Sequence, residues 1–68
     1  MNEISIRDEF IKLGQALKLS GIVENGAEAK EIITDGEILV NGEIERRRGR
    51  KLYKGDVFSY NSEEVKVI

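Results

Sequence analysis

The sequence predicts an α+β domain in which two short helices pack on a small, mainly antiparallel sheet. Three observations point there. The apolar period lengthens from two to about 3.6 at Leu13, an apolar run ends on Asn41-Gly42, and turn residues recur at short intervals through the second half. A length of 68 residues suits one domain spanning 1–68, with no internal repeat, linker or boundary.

The first element is the least regular. Glu3–Ile6 and Glu9–Lys12 alternate apolar with polar residues around Arg7-Asp8, as two short strands or an extended lead-in would. Leu13, Ala16, Leu17 and Ser20 then fall at helical intervals, giving a helix over Leu13–Ser20 with Gly21 as a left-handed stop. Ile22 and Val23 return apolar surface to the core before the turn Glu24-Asn25-Gly26, whose Asn25 suits a helix cap. The second helix covers Ala27–Thr34, with Ala29, Ile32 and Ile33 inward and Asp35-Gly36 ending it. Isolated helices under about 12 residues are marginal in water, so both must be held by packing.

Sheet signals follow. Glu37–Val40 is a strand, Asn41-Gly42 is a strong two-residue hairpin signal, and Glu43-Ile44-Glu45 is the returning strand. Gly36 and Gly42 are assigned to left-handed backbone positions. Lys54-Gly55-Asp56 makes another turn, and Val57–Tyr60 and Val65–Ile68 read as strands around Asn61-Ser62-Glu63.

Composition narrows the function. Without cysteine or histidine the chain has no thiolate, no imidazole and no disulfide, which removes the usual metal ligands and the usual general base; no metal, no cofactor and no catalytic residue is assigned. The acidic pairs Asp8-Glu9 and Glu63-Glu64 fall in predicted turns, and adjacency in sequence does not make a catalytic dyad. The start of the chain lacks a signal-peptide pattern and no run approaches the roughly 18 apolar residues of a membrane span, so the expected compartment is the cytoplasm.

Net charge is −2, but its distribution is lopsided. Arg46, Arg47, Arg48, Arg50, Lys51 and Lys54 place six positive charges and no negative one within nine residues, while all 13 acidic side chains lie elsewhere. Because charge is screened within about 8 Å at physiological salt, an approaching polyanion responds to this patch more than to the acidic remainder. Arginine forks suit phosphate, and Gly49 lets the backbone bend toward a surface. The competing readings are a solvated patch partly neutralised by Glu43 and Glu45, and docking on an anionic membrane, for which no apolar anchor is evident. Tyr53 and Tyr60 are candidates for base stacking, although a tyrosine in or beside a strand more often serves core or edge packing.

The stretch KLGQALKLSGIVENGAEAKEIITDGEILVNG, Lys12 to Gly42, resembles the alpha-L motif RNA-binding domain, named after ribosomal protein S-four. Lys12, Leu13, Leu17, Ala29, Lys30, Ile33, Gly36, Ile38, Val40, Asn41 and Gly42 fall on that family's pattern in register, and RRGRKL at Arg47–Leu52 resembles its small stand-alone bacterial branch. Two departures stand out. Gly14 occupies a position where the family usually has Asp, and Asn25-Gly26 one where it usually has Ser-Arg, so one phosphate contact is missing and the downstream basic run is the expected replacement.

The resemblance implies non-catalytic binding of structured RNA, most of all ribosomal RNA or an RNA in a ribosomal particle, by a monomeric domain that also meets ribosomal or RNA-processing proteins. The expected RNA-binding residues are Arg46, Arg47, Arg48, Arg50, Lys51 and Lys54 along one rim and Lys12, Lys18 and Lys30 on the other. Arg47 is expected to be a leading contact whose reversal leaves melting unchanged. Two alternatives remain open: a protein-interaction module docking its arginines on an acidic partner, and an accessory subunit of a catalytic partner.

Overall fold

The computed structural model describes residues 2–68 and orders them as β1 (Asn2–Ile4), β2 (Ile11–Lys12), α1 (Leu13–Leu19), α2 (Gly26–Thr34), β3 (Ile38–Val40), β4 (Glu43–Ile44), β5 (Lys51–Leu52), β6 (Val57–Tyr60) and β7 (Glu63–Val67). Five strands form one sheet in the order β1-β7-β6-β3-β4, and β2 pairs with β5 as a separate two-stranded ribbon. All pairings are antiparallel except β1 with β7, where Asn2, Glu3 and Ile4 run parallel to Val65, Lys66 and Val67.

The helices form where their local signals are. α1 buries Leu13, Ala16 and Leu17, and Gly21 closes it at φ +82°. At α2 the Asn25 side chain accepts the Glu28 N–H at 2.9 Å, while the Glu28 carboxylate accepts the Glu24 N–H at 3.0 Å, a reciprocal arrangement that satisfies donors at the helix start. Ala29, Ile32 and Ile33 are its buried face. They meet Ile38, Val40, Phe58, Val65 and Val67 from one side of the large sheet, with Leu52 of the ribbon joining the same core. Phe58, wholly buried on the central strand β6, is among the largest side chains there. Burying an apolar side chain of this size contributes about 1.5–3 kcal/mol.

Both two-residue hairpin turns have left-handed central residues: Asn41 (φ +51°) and Gly42 (φ +85°) link β3 to β4, and Asn61 (φ +50°) and Ser62 (φ +67°) link β6 to β7. Such turns match the strand twist.

Three expectations need correction. Glu63 and Glu64 lie in β7, because the turn closes on Asn61-Ser62 alone and Tyr60 pairs directly with Glu63. The strands expected over Glu3–Ile6 and Glu9–Lys12 shrink to Asn2–Ile4 and Ile11–Lys12 and belong to different sheets, with Ile6 outside either strand, its side chain in the core and its N–H donating to the Ile68 carbonyl. The basic run contains a strand, β5, that two residues are too short to announce by periodicity.

Candidate nucleic-acid interface

The basic segment leaves β4 through Glu45, whose N–H donates to the Ile38 carbonyl at 2.9 Å and whose side chain is only 9 % exposed. Its carboxylate accepts four hydrogen bonds: from Arg47 N–H (3.1 Å), Arg47 Nε (2.9 Å), Arg47 Nη2 (3.0 Å) and Arg50 Nη1 (2.8 Å). These donors, Arg47 first and Arg50 second, outweigh the opposing effect of burial and hold the Glu45 carboxyl down at about 2, against an ordinary 4.5. In return the Glu45 hydrogen bond raises the Arg47 guanidinium above its usual value. A single carboxylate therefore holds two of the four arginines of the run in a clasp.

The clasp shapes a turn, in which Arg50 N–H donates to the Arg47 carbonyl at 3.2 Å. That turn is attached to α1 through its backbone. Leu13 N–H donates to the Arg50 carbonyl at 2.9 Å and Gly14 N–H to the Arg48 carbonyl at 3.0 Å. Lys12, the N-cap of α1, makes no side-chain cap bond, so the basic segment satisfies amides that would otherwise be orphaned.

This attachment sets Arg48 and Gly49 across from the first turns of both helices. Between them lies an open groove of about 290 Å³ lined by Lys12, Gly14, Gln15 and Lys18 of the α1 region, Gly26 and Ala29 of α2, and Arg48 and Gly49. Three cations converge on it and no carboxylate lines it. Its glycines are informative at two positions. At Gly26 and Gly49 a Cβ would meet nothing within 4 Å and the backbone is not left-handed, so neither packing nor conformation demands glycine there. What the missing side chains do is leave room beside the cations.

A second concavity, lined by Arg47, Gly49, Arg50 and Lys51, lies on the neighbouring stretch of the same segment. The remaining predicted residues stand apart. Lys30 is exposed on α2 next to Ala29 but does not line the groove, and Lys54 lies in the exposed turn before β6. Arg46 folds back over Gly36 so closely that a Cβ built there would come within 2.6 Å of Arg46 Nη2. Its guanidinium thus sits at the C-terminal end of α2, where the helix dipole favours a cation. Among the described residues the only ion pairs are those of Glu45 with Arg47 and Arg50, so Lys12, Lys18 and Arg48 have no carboxylate partner, and Glu43 neutralises none of the arginines. The clasp bears on the expectation that reversing Arg47 would leave melting unchanged: bound to a buried carboxylate, Arg47 is now expected to contribute to stability.

Sequence reasoning passed over Phe10. It is half-buried, with its ring 6.0 Å from that of Tyr53, tilted by 54°, and with Lys51 Nζ 4.7 Å above its centroid. The available signal was its place two residues before Lys12 at the start of the lysine-bearing strand.

Among the described residues, no helix is long and apolar enough to cross a membrane. A family model described as "S4 domain" matches residues 4–68. The chain is 54% identical over 56 residues to a Bacillus subtilis protein named "Probable ribosome maturation protein RlbA", covering 82% of this chain and 79% of that one. It is 36% identical over 58 residues to the Escherichia coli protein named "Putative RNA-binding protein YbcJ", covering 85% and 83% respectively. The solution structure of YbcJ, described as revealing an "alfaL motif involved in RNA-binding", superposes with a TM-score of 0.76 at 33% identity, over 100% of this chain and 87% of that one.

Proposed function

Because the chain belongs to the S4 domain family, we propose that it is a non-catalytic RNA-binding domain that docks structured RNA in the groove between α1, α2 and the Arg48–Gly49 turn. The observation that carries this reading is the convergence of Lys12, Lys18 and Arg48 on a concavity free of carboxylates, with glycine where nothing in the fold requires it. Three unpaired cations facing one space repel one another, and a phosphate backbone is the ligand that relieves them. The groove recognises shape and backbone charge, which suits A-form RNA, whose base edges are hidden in a narrow major groove. Arg47, Arg50 and Lys51 extend the contact from the neighbouring concavity, and Arg46, Lys30 and Lys54 contribute long-range attraction.

The RNA we favour is ribosomal RNA or a precursor within a ribosomal particle, met in the cytoplasm by a monomer. The name of the Bacillus subtilis relative, a ribosome maturation protein, supports this choice. The deciding measurement is titration of a stem-loop RNA over a salt series. Neutralising three or four phosphates gives a slope of log K against log salt of roughly −2 to −4, and an affinity that ignores salt would refute the phosphate groove. Sequencing the RNA crosslinked to the protein in cells then identifies the target; crosslinks confined to messenger or transfer RNA would remove the ribosomal assignment.

A further inference from the structure

The ribbon of β2 and β5 has one face in the core and one in solvent. Its register pairs Ile11 with Leu52, both packed on or in the core, and Lys12 with Lys51. Side chains alternate along a strand, so Phe10 and Lys12 flank inward-facing Ile11, and Lys51 and Tyr53 flank inward-facing Leu52, on the opposite face. The outer surface of the ribbon is therefore an aromatic pair, Phe10 and Tyr53, beside a lysine pair. Like charges directly opposite one another destabilise a strand pair, and neither lysine has an ion-pair partner among the described residues. Tyr53 is 44% exposed, an unusual position for a large ring in a chain with four aromatic residues.

The backbone that carries the ring is also held in place. Tyr53 N–H donates to the Asp56 carboxylate at 2.8 Å and the Asp56 N–H donates to the Tyr53 carbonyl at 2.9 Å, closing a tight turn behind it. Lys51 Nζ rests 4.7 Å over the Phe10 ring, and the same lysine lines the concavity with Arg47, Gly49 and Arg50. Lys12, its cross-strand neighbour, lines the main groove. The aromatic pair thus adjoins both cationic surfaces.

We propose that Phe10 and Tyr53 form a stacking platform for an unpaired nucleobase, with Lys51 and Lys12 holding the phosphates that flank it. This rests on the RNA-binding reading and adds a subsite to it: the domain takes a paired stem in its groove and an unstacked nucleotide on the ribbon. In the free protein Lys51 covers the Phe10 ring by a cation–π contact, which at an exposed site is weaker than stacking of a base on an aromatic ring. An arriving nucleotide therefore displaces the ammonium from the ring and offers it a phosphate. Every base has a π-face, so the platform selects unpaired nucleotides and tolerates their sequence.

The test uses three RNAs at one salt concentration: a blunt-ended duplex, the same duplex with a four-nucleotide single-stranded overhang at one end, and the same overhang carrying abasic nucleotides. The abasic form keeps every phosphate and removes only the bases. Wild type is expected to bind the overhang RNA roughly 5- to 100-fold more tightly than its abasic counterpart. Tyr53→Ala and Phe10→Leu, the latter keeping apolar bulk without an aromatic face, are expected to lose that preference while binding the blunt duplex like wild type. If Phe10→Leu melts early, exposed Tyr53 carries the test alone. Wild type that binds the blunt duplex but does not distinguish bases from abasic sites overturns the platform and leaves the groove intact. Variants that lose affinity equally for all three RNAs also overturn it. Folded wild type that binds none of them overturns the RNA reading and the platform with it.

Discussion

The two arginines gripped by Glu45 and the one beside Gly49 are close neighbours in sequence, yet the fold treats them differently. Arg47 and Arg50 spend hydrogen bonds on a carboxylate that is almost out of solvent. Arg48, between them, lends its backbone carbonyl to α1 and keeps its side chain on a groove that no carboxylate lines. The clasp shows how one acidic residue turns part of a basic run into structure: it fixes the turn that presents the remaining cation. A charge whose partner lies inside the fold contributes to stability first, and one without a partner is wholly available to a ligand.

The largest expected effect strikes the clasp. Glu45→Ala removes a well-satisfied carboxylate and leaves two arginines facing each other, and should destabilise by about 2 kcal/mol. In a domain of this size that lowers the melting temperature by roughly 10 °C. Thermal melts followed by circular dichroism measure it, and an unchanged midpoint would mean that the clasp is ornamental.

Next comes the groove. Arg48→Glu should weaken stem-loop RNA binding about tenfold or more through loss of a charge-assisted phosphate contact, and reduce the salt slope by about one. Its melting should stay within about 0.5 kcal/mol of wild type. If Arg48→Glu melts early and binds RNA normally, the two roles have been assigned the wrong way round.

Acid sharpens the contrast further. The Glu45 carboxyl titrates near 2 in the folded state and near 4.5 when free, so its contribution is fully present above about pH 5 and fades as pH falls through 4.5 toward 2. Glu45→Gln should therefore melt below wild type at pH 7, with the gap closing across that acid range. A gap that stays constant down to pH 2 would contradict an ionised clasp.

The smallest effect belongs to Lys30. It is exposed and lies outside the groove, so Lys30→Glu should cost less than about threefold in RNA affinity, within the ordinary range of a screened surface charge. A loss matching that of Arg48→Glu would extend the RNA contact over the middle of α2.

How much of this was legible in the sequence follows the range of the interactions. Both helices, the Asn25 cap, and the left-handed glycines at Gly36 and Gly42 depend on neighbours a few residues away, and the sequence states them. The ribbon and the parallel β1–β7 pair join residues roughly 40 and 60 positions apart through strands of two or three residues, too short for a period to register. Asn61-Ser62 was harder to read than Asn41-Gly42, because serine at a left-handed turn position is a weaker signal than glycine. Within the site, the local basic run was plain. Its sorting into clasp, groove and the Arg46–Gly36 contact was not, because Glu45 differs from Glu43 only in being turned inward by its bond to Ile38. Phe10 was missed for a similar reason, since its partners Lys51 and Tyr53 are more than 40 residues away.

The parallel pairing of β1 with β7 has a kinetic consequence. Closing a loop of some 60 residues costs entropy before any contact repays it, and such pairings form late in folding. The helices, both hairpins and the groove assemble from nearer partners, so β1 docks as the closing step on a body already built. In the native state the same strand should be the first to open. Amides bonded across this edge, among them Ile6 to the Ile68 carbonyl and Ile68 to the Ile4 carbonyl, should exchange with deuterium faster than those of β6. The domain can thus loosen at the β1 edge of its sheet while the backbone bonds that join α1 to the arginine turn stay closed.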